Sequence, residues 1–188
     1  MSEHNLFNLK FKKKMNNAHL HLVVNHLPII FPIVGLIVLL TGFFTKSEAV
    51  KRTSFFVFIL GAIASIIAMA TGEGAEEAVE NIAGMSENLM HTHEEAAELF
   101  AGLSYVLGAI SLAGIYTSWK NLSFSKIISL VVAGLAIITL FFAQQAGNTG
   151  GQIRHSEIRA GKATFNNAET SGENGGEKGE NNGEDDDD

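Results

Sequence analysis

Histidine is the residue type in this chain with the most chemistry to offer, and six of its seven copies gather in three short stretches. His19, His21 and His26 stand around the start of the first long apolar run, His91 and His93 precede the third, and His155 follows the fourth, while His4 stands apart in the leader. Imidazole titrates near neutral pH and binds metals through an unprotonated ring nitrogen. Three chemistries can use such a set. The first is b-type haem held by imidazoles from two helices, His26 with His93 or His155, with Arg154 pairing a propionate. The second is a divalent metal ion held by His91, His93 and Glu94 or Glu95, with a distant Glu73 or Glu77, since imidazole and carboxylate suit Zn, Cu, Fe or Mn. The third is a proton or quinone site. Each histidine taken singly is equally explained as a polar residue satisfied by headgroups and water. The Glu-x-x-His pairs of di-iron bundles are absent.

The elements that must position these residues are four apolar runs, Leu22–Phe44, Ser54–Gly72, Leu99–Trp119 and Ile127–Gly147, all free of Asp, Glu, Lys and Arg. Each has the ~20 residues that a helix needs to cross a ~30 Å hydrocarbon layer. A lipid-exposed barrel would instead show short alternating segments. The reading is an all-α integral membrane four-helix bundle, with helices over about 22–44, 54–72, 95–119 and 126–147 in a domain spanning 18–158. Residues 1–17 read as a disordered leader or a misassigned start, Met15 being a second candidate start. The basic stretch Lys10–Lys14 is no cleaved signal, because the run behind it is too long and lacks a small-residue cleavage site. Residues 159–188, rich in Gly, Asn and Glu and ending in four aspartates, read as a disordered acidic tail.

The chain has no cysteine, which excludes disulfides, thiolate zinc, iron–sulfur clusters and c-type haem attachment. Its net charge of -7 argues against nucleic acid. No nucleophile and base constellation, phosphate loop or HExxH points to an enzyme.

With four spans, the termini share a side with the connection between the second and third helices. The two turns on the other side hold Lys46, Lys51, Arg52, Lys120 and Lys126, whereas Glu73 to Glu98 is rich in glutamate and lacks Lys and Arg. The positive-inside rule then puts the turns in the cytoplasm and the termini in the periplasm, against the basic residues near both ends. All six clustered histidines fall on the outer side. Gly72-Glu73-Gly74 is expected to end the second span, and Ala75–Leu89 to form a short interfacial helix across the bundle mouth. Gly150-Gly151 is expected to stop the fourth helix and let His155 fold back. Between His91 and His93, two residues apart on a helix, His93 lies with Ala97 and Phe100 and is the inward one. Small residues at helical spacing, Gly61, Ala64 and Ala68 in the second span and Ser104, Gly108 and Ser111 in the third, suit close packing.

The His26-Leu27-Pro28 start, the histidine leading into the third span and Gly150-Gly151-Gln152-Ile153-Arg154-His155 resemble the bacterial four-span membrane family catalogued as domain of unknown function twenty-two thirty-one. The resemblance covers about Ala18 to His155, with Leu27 where members usually have Phe. It implies a haem or redox role in the membrane and carries over His26, His93 and His155. The expected protein is thus a bacterial inner-membrane four-helix protein that binds haem b or a metal ion near its outer face. It would exchange electrons with a soluble or membrane cytochrome or a respiratory complex. The alternative is a cofactor-free structural or assembly subunit of a larger membrane complex.

Overall fold

The computed structural model describes residues 17–79 and 87–154, with side chains over 17–77 and 87–153. The leader before Asn17, the acidic tail and His155 lie outside the described residues, as does the Arg154 side chain. The described chain is all helical: α1 over 17–24, α2 Leu27–Phe44, α3 Glu48–Val79, α4 Glu87–Trp119 and α5 Ser125–Arg154. Four stretches, Asn17–Phe44, Glu48–Glu77, Glu87–Trp119 and Ser125–Ile153, are long and apolar enough to cross a membrane.

The break between α1 and α2 follows from Pro28, which has no N–H to give the Val24 carbonyl and whose ring crowds it. The chain turns at 25 and 26, and the His26 carbonyl takes over by accepting from the Ile29 and Ile30 N–H groups at 3.2 and 3.0 Å. The two short connections close in the same way. Lys46 and Asn121 adopt left-handed backbone, with φ of 54° and 52°. Behind them Ser47 N–H donates to Gly42 O at 3.1 Å and Leu122 N–H to Thr117 O at 3.0 Å. Both are Schellman ends, which glycine usually serves.

The interior is built from small residues that admit a few large ones. Leu39, Phe55, Phe58, Leu107, Val132 and Ala136 form the central cluster. Phe100, Ala143 and Ala146 form a second, with Ile29 and Ala96 against it. A Cβ on Gly35 would meet the Phe58 ring at 2.6 Å, one on Gly114 the Phe55 ring at 2.9 Å, and one on Gly108 the Ala62 Cβ at 2.6 Å. The expected rows of small residues turn to this interior: Gly61, Ala64, Ser104, Gly108 and Ser111 are buried and Ala68 is half-buried. The outer surface carries the bulky apolar side chains, among them Ile37 at 60% exposure, Leu112 at 58% and Phe141 at 59%.

The helices outrun the apolar runs. The expected stop at Gly72 does not occur, and α3 continues through Gly74 to Val79. Nor does α5 end at Gly150-Gly151, which lie inside a helix that reaches Arg154. Glycine without tertiary contacts is a weak helix residue, but here a Cβ on Gly74 would lie 2.7 Å from the Asn17 side chain and one on Gly150 2.9 Å from the His93 ring. These glycines keep neighbouring segments close instead of ending helices. The stretch expected as a separate interfacial helix begins as the last turn of α3 and ends as the first turn of α4. Residues 80–86 between them lie outside the described residues.

Gly108→Val should lower stability by roughly 1–3 kcal/mol, because Ala62 cannot move aside. Gly102→Ala, where a Cβ meets nothing within 4 Å, should leave stability unchanged or raise it by up to ~1 kcal/mol. Thermal unfolding of the two variants in one detergent checks the contrast.

Candidate functional site

Two histidines, His21 and His93, turn into the bundle at the end where α1 enters, and both are half-buried. Each is the second member of a His-x-His pair. Residues two apart on a helix point about 200° apart, so the first members, His19 and His91, are exposed. His91 instead reaches Glu95, one turn along, at 3.5 Å, with both side chains about 70% exposed.

His21 is seated against the last turns of the apolar part of α3. Its Nδ1 lies 3.0 Å from the Ala68 carbonyl and 3.1 Å from Thr71 Oγ1. A carbonyl only accepts, so Nδ1 carries the proton and donates. Thr71 has spent its own proton on the Ile67 and Ala68 carbonyls at 2.9 and 3.1 Å, and so it too accepts from the ring. His93 is held in the same sense from α5. Its Nδ1 lies 3.1 Å from Thr149 Oγ1, and that hydroxyl donates to the Gln145 and Ala146 carbonyls, each at 3.1 Å. In the neutral rings both Nδ1 atoms are therefore donors, and both Nε2 atoms hold the free lone pair. Among the described residues neither Nε2 has a hydrogen-bond partner.

By the order of the helices, α1, the end of α3, the start of α4 and the end of α5 all lie at one small polar mouth, and Gly150 leaves the space that the His93 ring fills. At the α1 break, the Asn25 Oδ1 is buried without a partner among the described residues.

Of the residues expected from sequence, only His93 has its ring placed in this mouth. His26 is exposed at the N-cap of α2 and makes no capping bond. His155 and the Arg154 side chain lie outside the described residues. The metal set His91, His93, Glu94 and Glu95 is divided between two faces of α4, since His93 turns inward while the other three are exposed. Among the described residues no three or more His, Asp or Glu side chains come together in a metal-holding group. Sequence reasoning missed His21, which lies one residue before the first helix expected at about 22–44 and so was given no face. The signal was there: Pro28, Pro32, Gly35, Leu39 and Gly42 are buried at alternating steps of four and three, and the same steps taken backward land on Asn25 and His21.

As a donor set, two neutral imidazoles with Nδ1–H satisfied and Nε2 unpartnered are of the kind that would hold haem iron or another metal through Nε2. Metal-binding histidines characteristically donate one ring N–H to a carbonyl or similar acceptor, which fixes the ring and exposes the other nitrogen. The chain matches no family model, no curated protein and no solved structure.

Nitrogen-15 spectra of histidine-labelled protein in detergent at pH 8 should show His21 and His93 as the Nδ1–H tautomer. Thr149→Val should move the His93 nitrogen signals and leave those of His91 in place. Rings in the commoner Nε2–H form would contradict the bonding described.

Proposed function

We propose that this chain is a multi-pass protein of the bacterial inner membrane that holds b-type haem through His21 and His93 near its outer face and takes part in electron transfer. The observation that carries the reading is the pair itself: two half-buried imidazoles on different helices, each tied through Nδ1 so that Nε2 is presented. Bound haem supplies a one-electron couple. The chain's own residues do the rest. Thr71 and the Ala68 carbonyl fix the His21 ring, and Thr149 fixes that of His93.

Membrane insertion is supported by the inverted distribution of side chains. Serines and threonines such as Ser65, Ser104 and Thr139 are buried, while large aliphatic and aromatic groups are exposed. A chain in water would carry that much contiguous apolar surface at great cost, whereas lipid welcomes it. The lysines and arginine at and beside the two short turns support a cytoplasmic side for those turns and a periplasmic side for the imidazole end, where a cytochrome or respiratory complex would meet it.

The test is an absorption spectrum of detergent-purified protein, oxidised and then dithionite-reduced, with metal analysis on the same sample. Sharp α and β bands on reduction are expected in the parent and in His26→Ala, and should vanish in His21→Ala and His93→Ala. Thr149→Val should weaken haem affinity by roughly 10–100-fold, as loss of a partner that orients a metal ligand does. Colourless, metal-free protein from haem-replete cells would overturn the reading and leave a cofactor-free subunit of a larger membrane complex.

A further inference from the structure

The opposite end of the bundle carries a second site. A recess of about 300 Å³ opens between the start of α3, the end of α4 and the turn into α5, lined by Glu48, Ser118, Asn121, Ser123, Ser125 and Lys126. Ser125 is 8% exposed, and its Oγ is buried with no hydrogen-bond partner among the described residues. Its neighbours have partners: Ser118 Oγ donates to Glu48 Oε2 at 2.9 Å, and Lys51 donates to the other Glu48 oxygen. A hydroxyl shut away from water without a partner is costly, and this one lines a recess large enough for a small polar group.

The recess has two electrical halves. On one wall stand the Lys126 ammonium, the Ser123 and Ser125 hydroxyls and the positive end of the α5 dipole, a combination that takes phosphate. On the other stands the Glu48 carboxylate, whose oxygens can each accept a further bond beyond those from Lys51 and Ser118. A bare phosphate would meet Glu48, and a bare amine would meet Lys126. A phosphate joined to a primary ammonium satisfies both walls. The rim adds the source of that group, because Trp119 and Phe124 beside the recess are 73% and 47% exposed. Exposed aromatics of this kind mark headgroup depth in a bilayer.

The geometry points to a binding site for the headgroup of phosphatidylethanolamine, with phosphate on Ser125 and Lys126 and ammonium on Glu48. The inference rests on the membrane reading and is independent of haem. It is tested with the full chain in bilayer discs of equal parts phosphatidylethanolamine, phosphatidylcholine and phosphatidylglycerol, counting the lipids retained on release in a mass spectrometer. Phosphatidylethanolamine should be favoured over either of the others by about tenfold, the scale of one charge-assisted hydrogen bond. Choline cannot donate to Glu48, and glycerol offers it no charge. Glu48→Gln should erase the preference, Lys126→Ala and Ser125→Ala should each lower retention of all three lipids, and Lys120→Ala, outside the recess, should change neither. Equal retention of the three lipids by the parent, a preference untouched by Glu48→Gln, or retention untouched by both Lys126→Ala and Ser125→Ala overturns the assignment. Free O-phosphoethanolamine that binds the detergent-solubilised chain as tightly as the lipid does would overturn the lipid as its source. Extraction of the chain from vesicles by alkaline carbonate would overturn the membrane reading itself, and is seen before any lipid is counted.

Discussion

Close approach between helices is the constraint on which the rest of this protein depends. Where lipid surrounds a bundle, apolar side chains gain nothing by leaving it for another helix, and association must come from tight packing and hydrogen bonds. The chain meets that condition by placing glycine where a neighbour's ring must lie. Gly35 receives Phe58, and Gly114 receives Phe55. Four of the buried hydroxyls fit the same economy, although those of Ser111 and Ser125 have no partner among the described residues. Ser65, Ser104, Ser129 and Thr139 each donate to the carbonyl one turn back on their own helix, so they occupy little space and leave no donor unsatisfied.

The two polar ends inherit their form from this packing. At the imidazole end, Gly74 brings α3 against α1, and Gly150 brings α5 against His93. Larger residues there would separate the segments that seat the rings. At the other end, Gly42 leaves the space that the Lys51 stem fills, so the lysine is buried to 5% exposure with its ammonium on Glu48 and 5.9 Å from the Phe43 ring centre. A buried lysine without a carboxylate would be strongly unfavourable, and Glu48 meets that need three residues earlier on the same helix.

Composition and hydropathy were enough to read four long apolar helices and the small-residue rows between them, because lipid-scale length and uncharged runs admit few other structures. They were insufficient at the helix ends. Glycine pairs at 72–74 and 150–151 look like stops when judged by local propensity, and only the neighbours they accommodate, Asn17, His21 and His93, explain why the helices continue. The same limit hid His21. Pro28 breaks the helix at 25 and 26, so the segment before it could not be assigned a face from the first span's pattern. The structure keeps it near that face despite the break.

His-x-His recurs at 19–21 and 91–93, and the repetition has a mechanical consequence. On a helix the pair divides itself: one ring faces the bundle and its companion faces out, whatever the rest of the sequence does. The inward ring then needs an acceptor for Nδ1–H on the adjacent helix, and both are supplied by a threonine whose own proton is already committed to its helix backbone, Thr71 and Thr149. A threonine committed in that way can only accept from the ring. The arrangement fixes the tautomer of each imidazole through the helix that holds it, so the exposed lone pair at Nε2 is a property of the packed bundle and would be lost if α3 or α5 drew away.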